Sequence, residues 1–149
     1  MSVYLKEGFY MNIDSIQNGY VIDHISAGNG LKIYSLLRLD ELDASVAIIQ
    51  KVASAKMGRK DIIKIDAAIP IDLDIIGFID PKATINVIRD GIRVEKKNIE
   101  MPAQLVNVIK CRNPRCITQS EQELDQVFTL SNEAGGRVYR CLYCETKAK

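Results

Sequence analysis

The sequence predicts an α+β fold in which a β-α-β-β-α-β domain is followed by a small all-β domain. Two observations lead to this prediction. Between residues 11 and 99, short β-branched runs alternate with two segments of helical spacing, which is the order of the ferredoxin-like split βαβ motif. All four cysteines come after residue 110, in two close pairs, an arrangement typical of a zinc ribbon.

The first domain begins with two β-rich runs, residues 11–16 and 20–25, on either side of the turn signal Asn18-Gly19. This pattern predicts a hairpin or a bent strand. Ser26 then has the position of an N-cap for the first helix. The residues that follow Ser26 at helical spacing are Leu31, Tyr34, Leu37 and Arg38.

In the rest of the first domain, the sequence pattern predicts a buried strand at 46–49, because three of these four residues are Val or Ile. A basic turn around Gly58 leads into a strand at 62–65. Asp72 begins a short helix, which Asp80-Pro81 ends. The last two predicted strands, 84–88 and 92–94, are joined by a tight turn at Asp90-Gly91.

A domain boundary is expected near residues 100–104, which divides the chain into 1–101 and 102–149. The first part is long enough to bury a modest core between a sheet and its helices. The second part is too short for a self-sufficient apolar core. Units of that size usually need a metal or a disulfide staple.

The cysteine spacing is Cys111-x4-Cys116 and, 24 residues later, Cys141-x2-Cys144. Two pairs of thiolates at about 2.3 Å complete a tetrahedron around one zinc ion, leaving no position for water or substrate. The spacing therefore predicts one structural zinc ion per chain. Two disulfides, free thiols in a small core, or an iron–sulfur centre remain alternatives.

Composition favours a globular protein of the cytoplasm. The formal net charge is +1, so no global field draws the chain to nucleic acid or to a membrane surface. No window of eighteen apolar residues suggests a membrane span, and the N-terminal pattern is unlike a signal peptide. The clustered cysteines likewise favour a reducing compartment, where thiols stay available to metal.

A polar group in the first domain could form an anion or nucleotide site. Asp23-His24 ends one predicted strand just before a helix start, a place that favours anions. Lys64 interrupts an apolar strand and could lie on the sheet face away from the helices, with Lys60 and Lys96 on or near other strands. The simpler alternative is a hydrogen-bonded structural Asp–His pair and solvated lysines.

Five sequence blocks together resemble one family. They are residues 19–25, 30–33, 57–65 and 83–88, and the zinc-loop motif Cys111-x-Asn-Pro-x-Cys116-Ile117, followed by Cys141-x-x-Cys144. In this order and spacing, the blocks resemble the regulatory chain of aspartate carbamoyltransferase from about Met11 to Glu145.

This resemblance implies a non-catalytic regulatory subunit in pyrimidine biosynthesis. Residues 1–101 would bind the nucleotide effectors CTP and ATP, with UTP assisting in some members. Residues 102–149 would bind zinc and dock on the catalytic chain. Regulatory chains of this family pair as dimers and link two catalytic trimers into a dodecamer.

The resemblance also implies roles for single residues. Basic side chains would meet triphosphate or ribose oxygens, and the N-terminal strand would lie along the base. The implied effector-contacting positions are Ile13, Asp14, Ile16, Val21, Asp23, His24, Ile62, Lys64, Asn86, Ile88 and Lys96. The implied contacts with the catalytic chain are Asn113 and Glu145.

Two functions of other classes are alternatives to this interpretation. A zinc-ribbon nucleic-acid binder would use the arginines of the second domain, but nearby acidic residues offset their charge. A small enzyme would use His24 and Asp23 as an acid–base pair. No nucleophile or open metal site accompanies that pair in the sequence.

Overall fold

A computed structural model describes residues 16–148 of the chain. Within this range the chain separates into two compact units, one ending at Glu100 and one beginning at Met101. No helix among the described residues is long and apolar enough to cross a membrane.

The first unit contains a five-stranded antiparallel sheet in the order β2-β3-β1-β4-β5. Its elements are β1 (Gly19–Ser26), α1 (Gly30–Leu36), a 3₁₀ turn (Leu39–Glu41), β2 (Ser45–Ser54), β3 (Gly58–Asp66), α2 (Leu73–Ile79), β4 (Thr84–Arg89) and β5 (Ile92–Asn98). The first four strands have the ferredoxin-like order, and β5 extends the sheet beyond β4.

One face of this sheet forms the core with both helices. The side chains of alternate strand residues, including Ile22, Ile63 and Ile85, are fully buried in one cluster with Ile33 of α1 and Ile76 of α2. Burial of each such side chain stabilises the fold by about 1.5–3 kcal/mol. Because strand residues alternate between faces, the residues between them lie on the face that the helices do not cover.

A buried aspartate joins three backbone segments beside this core. Asp61 of β3 is 0% exposed; its Oδ2 accepts hydrogen bonds from the backbone N–H groups of Gly28 and Gly30, at 3.0 and 2.9 Å. Its Oδ1 accepts from the N–H of Lys51 at 2.9 Å. A Cβ atom at position 30 would lie 2.8 Å from Asp61 Oδ2. The start of α1 therefore requires glycine next to this carboxylate.

A β-bulge interrupts β1 between Ile22 and Ile25. His24 lies in this bulge with a positive φ of 56°, which is uncommon for a residue other than glycine. The bulge lets the chain turn before α1 while Ile25 returns to the core at 0% exposure. It also presents His24 at the end of the sheet.

The second unit is a three-stranded antiparallel sheet in the order β6-β7-β8, with one short helix. Its elements are β6 (Gln104–Val106), α3 (Ile117–Ser120), β7 (Val127–Glu133) and β8 (Gly136–Cys141). Leu105 and Phe128 are both 1% exposed, so its apolar core is small. Tyr139 donates a hydrogen bond from its hydroxyl to the Pro102 carbonyl at 2.7 Å.

The predicted α+β class is confirmed, and so are several local predictions. Asp72 caps α2 by accepting a hydrogen bond from the Asp74 N–H at 3.0 Å, and the helix ends before Asp80-Pro81. The turn between β4 and β5 has positive φ at Asp90 and Gly91. β6 and α3 are elements without a corresponding prediction from the sequence.

Two local predictions are wrong. Ser26 does not cap α1, because it ends β1 and the N-cap is Asn29. The segment 46–49 is a strand but only half-buried, because β2 lies at an edge of the sheet.

Candidate metal centre and groove

The second unit brings its four cysteines into one cluster. Their Sγ atoms all lie within 4.8 Å of one another, and Cys111 Sγ is 3.5 Å from Cys144 Sγ while Cys116 Sγ is 3.7 Å from Cys141 Sγ. A zinc tetrahedron with bonds of 2.3 Å has edges of about 3.8 Å. The cluster therefore has the dimensions of a four-thiolate zinc site.

Local structure positions each thiol. Cys116 is the N-cap of α3, Cys141 is the last residue of β8, and Cys144 lies in the turn after it. Gln126 Oε1 accepts a hydrogen bond from the Cys111 N–H at 2.9 Å. Gln119 Nε2 donates to the carbonyls of Cys111 and Asn113 at 2.8 and 3.0 Å. These bonds hold the first cysteine loop against α3 and against Gln126, the residue that precedes β7.

Two threonine hydroxyls contact sulfurs of the cluster, one in each close pair of cysteines. Thr118 Oγ1 lies 3.1 Å from Cys116 Sγ, and Thr146 Oγ1 lies 3.3 Å from Cys144 Sγ. The Thr118 bond lowers the pKa of the Cys116 thiol, and the Thr146 bond lowers the pKa of the Cys144 thiol to about 6. These two thiols therefore lose their protons more readily than an ordinary cysteine does.

The other two thiols behave in the opposite way. Burial raises the pKa of the Cys111 thiol to about 12 and also raises the pKa of the Cys141 thiol. Zinc requires thiolates, so its binding at neutral pH must release protons from these groups. Four cysteine ligands would fill the coordination shell, and such a site holds the fold instead of activating water.

In the first unit, three polar residues and Val21 form a row, here called the polar row, across the sheet face opposite the helices. The register pairs Lys64 of β3 with Val21 of β1, Val21 with Asn86 of β4, and Asn86 with Lys96 of β5. Asn86 Nδ2 donates to the Val21 carbonyl at 3.3 Å. Lys64 is 9% exposed and Lys96 is exposed, so the row begins at a buried lysine and ends at a solvent-exposed one.

A groove of about 870 Å³ lies at the end of the sheet where β1 and β5 end and β3 and β4 begin. It includes Lys96 from the row just described. The residues that line it are His24, Ser26, Ala27, Lys56, Met57, Arg59, Lys82, Thr84, Lys96 and Asn98. Four of these are permanent cations and none is a carboxylate, so the groove favours an anion.

Asp23 and His24 are oriented by hydrogen bonds next to this groove. Lys60 Nζ lies 2.9 Å from Asp23 Oδ1, which also accepts from the His24 N–H at 2.6 Å. Burial alone would raise the pKa of Asp23, but the hydrogen bonds from Lys60 and from the His24 backbone outweigh it and lower that pKa. His24 Nδ1 lies 3.2 Å from Thr84 Oγ1.

Comparison with known proteins decides the family. The family model described as aspartate carbamoyltransferase regulatory chain, allosteric domain, matches residues 11–100. The model described as aspartate carbamoyltransferase regulatory chain, metal binding domain, matches residues 103–149. The chain belongs to the aspartate carbamoyltransferase regulatory chain family. The resemblance seen in the five sequence blocks is thereby confirmed, and the chain is a regulatory, non-catalytic subunit.

Curated regulatory chains from three bacteria show the extent of the similarity. The chain is 50% identical over 135 residues to that of Clostridium botulinum strain Hall, covering 91% of this chain and 92% of the relative. It is 46% identical over 136 residues to that of Clostridium tetani, covering 91% and 94%. It is 44% identical over 139 residues to that of Bifidobacterium longum, covering 93% and 99%.

The metal-binding family and the cysteine cluster together confirm one structural zinc ion per regulatory chain. The free thiols of this structure also argue against the two-disulfide alternative. Cys111, Cys116, Cys141 and Cys144 are the residues that would hold the ion.

The structure places the implied effector positions of this regulatory chain as follows. Ile13 and Asp14 lie outside the described residues, and Ile16 is half-buried just before β1. On the sheet face opposite the helices lie, by strand register, Val21, Asp23, Ile62, Lys64, Asn86, Ile88 and Lys96. The predicted positions on β1, β3, β4 and β5 therefore share one surface, and His24 adjoins it in the bulge.

Asn113 and Glu145 flank the cysteine cluster of the regulatory chain. Asn113 Oδ1 accepts from the Arg115 N–H at 3.0 Å, which shapes the loop between the first two cysteines. Glu145 is exposed, with a positive φ of 65°, directly after Cys144. Both lie where the zinc site holds the backbone, and their contact with a catalytic chain stays a prediction.

Sequence reasoning missed most of the groove lining. Lys56, Arg59 and Lys82 lie in turns or at a strand start, where isolated basic residues are usually solvated. Their common feature is that each lies at the same end of the sheet. Only the order of the strands in the sheet shows that these three residues lie close together.

Proposed function

We propose that this regulatory chain binds the nucleotide effectors CTP and ATP in its first unit and contacts the catalytic chain of aspartate carbamoyltransferase through its zinc unit. UTP is a further effector to be tested in the same site. The observation that carries the nucleotide part is the continuity between the polar row and the cationic groove, since Lys96 belongs to both.

The orientation of the nucleotide follows from this continuity. The groove offers charge to phosphates at the end of the sheet. Val21, Asn86 and Ile88 offer a mixed apolar and amide surface farther along β1 and β4. A triphosphate in the groove would place the base along this surface, where hydrogen-bonding groups can distinguish an amino from a keto edge.

A single substitution tests the phosphate contact. Lys96→Ala should weaken CTP and ATP alike by about 1.5–3 kcal/mol, because a charge-assisted bond to phosphate carries no information about the base. The control is Lys97→Ala, since Lys97 pairs with Ile85 and belongs to the other face of β5. Calorimetric titration of both variants would decide. Equal affinities of the two variants would exclude Lys96 from the site.

Both nucleotides should compete for this one site. A ligand regulates an assembly only by binding one global state better than another, and two effectors sharing a cleft can do so in opposite directions. A titration of CTP in the presence of saturating ATP tests the proposal. Unchanged CTP affinity would show two independent sites and contradict the shared cleft.

Exposed apolar side chains beside the cysteines support the proposed contact with the catalytic chain. Ile117 is 50% exposed directly after Cys116, and Leu142 is 51% exposed between Cys141 and Cys144. Leu142→Asp should reduce assembly with the cognate catalytic chain while the protein keeps its zinc. Normal assembly of this variant in analytical ultracentrifugation would remove this surface from the interface.

Two further proposals follow the family pattern. We propose that two copies pair, and the edge strand β5 offers an exposed apolar surface at Ile92 and Val94, which are 66% and 56% exposed. Sedimentation of the isolated chain tests pairing. We also propose a cytoplasmic location, because a four-thiolate site needs reduced cysteines.

A further inference from the structure

The cations of the groove exceed those that the sequence assigned to nucleotide binding. His24 and Lys96 were expected to contact an effector, whereas Lys56, Arg59 and Lys82 had no assigned role. All five line the groove. In the part of the chain that the structure describes, none of the four permanent cations is in an ion pair. Lys60, by contrast, is neutralised by Asp23 at 2.9 Å.

The backbone of one of these cations, Lys82, is held in place by a second buried aspartate. Asp80 is 2% exposed, and its Oδ1 accepts a hydrogen bond from the Lys82 N–H at 3.1 Å. Its Oδ2 accepts from the Ser26 N–H and from Asn29 Nδ2. Ser26 and Lys82 both line the groove and are far apart in sequence, and their backbone N–H groups are thus fixed to one carboxylate.

Lys96 and the unassigned cations lie at different distances from the surface proposed to contact the base. Thr84 begins β4 two residues before Asn86, a separation of about 7 Å at 3.3 Å per residue, and Lys82 precedes Thr84. Lys56 precedes β3, and Arg59 is its second residue. Lys96 is paired directly with Asn86. Phosphates that extend past Lys96 toward the sheet end would therefore meet the unassigned cations.

We propose that Lys56, Arg59 and Lys82 form a subsite for the terminal phosphoryl groups of a nucleoside triphosphate and that this subsite selects ligands by the length of their phosphate chain. The inference rests on the proposed nucleotide function. A monophosphate would reach Lys96 and His24 only, whereas a triphosphate would also satisfy the outer cations. Each added phosphoryl group brings charge into a region without carboxylates, so affinity rises with chain length.

The test compares cytidine mono-, di- and triphosphate on the zinc-loaded full-length chain. In Lys56→Ala/Lys82→Ala, triphosphate affinity should fall at least about tenfold, the effect of one lost charge-assisted hydrogen bond, and monophosphate affinity should change by less than about threefold. The control Lys32→Ala/Lys97→Ala removes two exposed positive charges outside the groove lining. It should leave the preference for triphosphate intact.

Inorganic triphosphate separates this inference from the proposed function. It carries the phosphate chain without a base, so it should bind the wild-type chain and lose affinity in the double variant whichever nucleoside the site accepts. An equal loss for mono- and triphosphate, or a loss no greater than that of the control, would overturn the subsite while leaving nucleotide binding intact. Absence of binding by every phosphate ligand would overturn both.

Discussion

Lys60 and Asp23 form an ion pair of 2.9 Å between β3 and the bulge of β1, with side chains only 17% and 23% exposed. The same carboxylate accepts the His24 N–H. One carboxylate therefore restrains both the strand pairing and the unusual backbone of His24. The pair is sheltered enough to contribute more than a typical surface salt bridge.

We expect Asp23→Asn to lower the free energy of unfolding by about 1–2 kcal/mol at pH 7, because asparagine still accepts the His24 bond but loses its charge. The folded-state pKa of Asp23 lies below its ordinary value of 3.8, so its contribution is present above that value. It should be lost as the pH falls through the lowered folded pKa. Urea unfolding between pH 3 and 7 measures this.

The control for this substitution is a double-mutant cycle with Lys60→Met. A coupling energy near zero would mean that the two side chains contribute independently, contrary to the ion pair. An effect of Asp23→Asn that does not diminish in acid would likewise contradict the charge-based explanation.

Zinc removal should unfold the second unit first. Its apolar core is small, and binding energy at a structural zinc site is folding energy. Residues up to about 100 have a separate core around Ile22 and Ile63 and should stay folded. Amide NMR spectra with and without a chelator would show which resonances collapse. Simultaneous loss of both sets would contradict the independence of the two cores.

The threonine hydroxyls beside the sulfurs should slow zinc release. Thr118→Val and Thr146→Val each remove one hydroxyl contact with a sulfur at nearly constant shape. Loss of about 0.5–1.5 kcal/mol per hydrogen bond corresponds to about two- to tenfold faster transfer of zinc to a chromogenic chelator. The control is Thr129→Val on β7, whose hydroxyl contacts none of the four cysteine sulfurs among the described residues. Equal rates for all three variants would contradict the role of the hydroxyls.

Asp61 should be among the costliest single sites in the first unit. In Asp61→Asn an amide NH2 replaces one oxygen and must face a backbone N–H donor, since both oxygens of Asp61 accept such bonds. We expect a loss of about 2–4 kcal/mol in the free energy of unfolding. Asp43→Asn, at an exposed position, controls for the general charge change. A loss below about 0.5 kcal/mol at position 61 would contradict the importance of this carboxylate.

Local chemistry explains which parts of the fold could be predicted from the sequence. The helix α2 was predictable because Asp72 caps it and Asp80-Pro81 ends it, and both signals act within a few residues. The cysteine cluster was predictable for a similar reason, since each close pair forms one turn of a ribbon. The β-branched runs predicted the positions of the strands. The depth at which each strand is buried could not be predicted in the same way, because it depends on the order of the strands in the sheet.

The features that could not be predicted depend on distant parts of the chain. The positive φ of His24 has no local signal, because it arises where β1 must pair with β3 and still turn toward α1. Lys56 and Lys82 are far apart in sequence and meet only because β3 and β4 both begin at the same end of the sheet. Contact of the groove with a nucleotide stays a prediction.

The close approach of Gly30 to Asp61 has an evolutionary consequence. A side chain at position 30 would collide with the carboxylate, while loss of the carboxylate would leave the Gly30 N–H without its acceptor. Each substitution alone should therefore lower stability while the other residue stays as it is. Among related sequences the two positions should therefore change together or not at all, which makes them a covarying pair that an alignment can reveal.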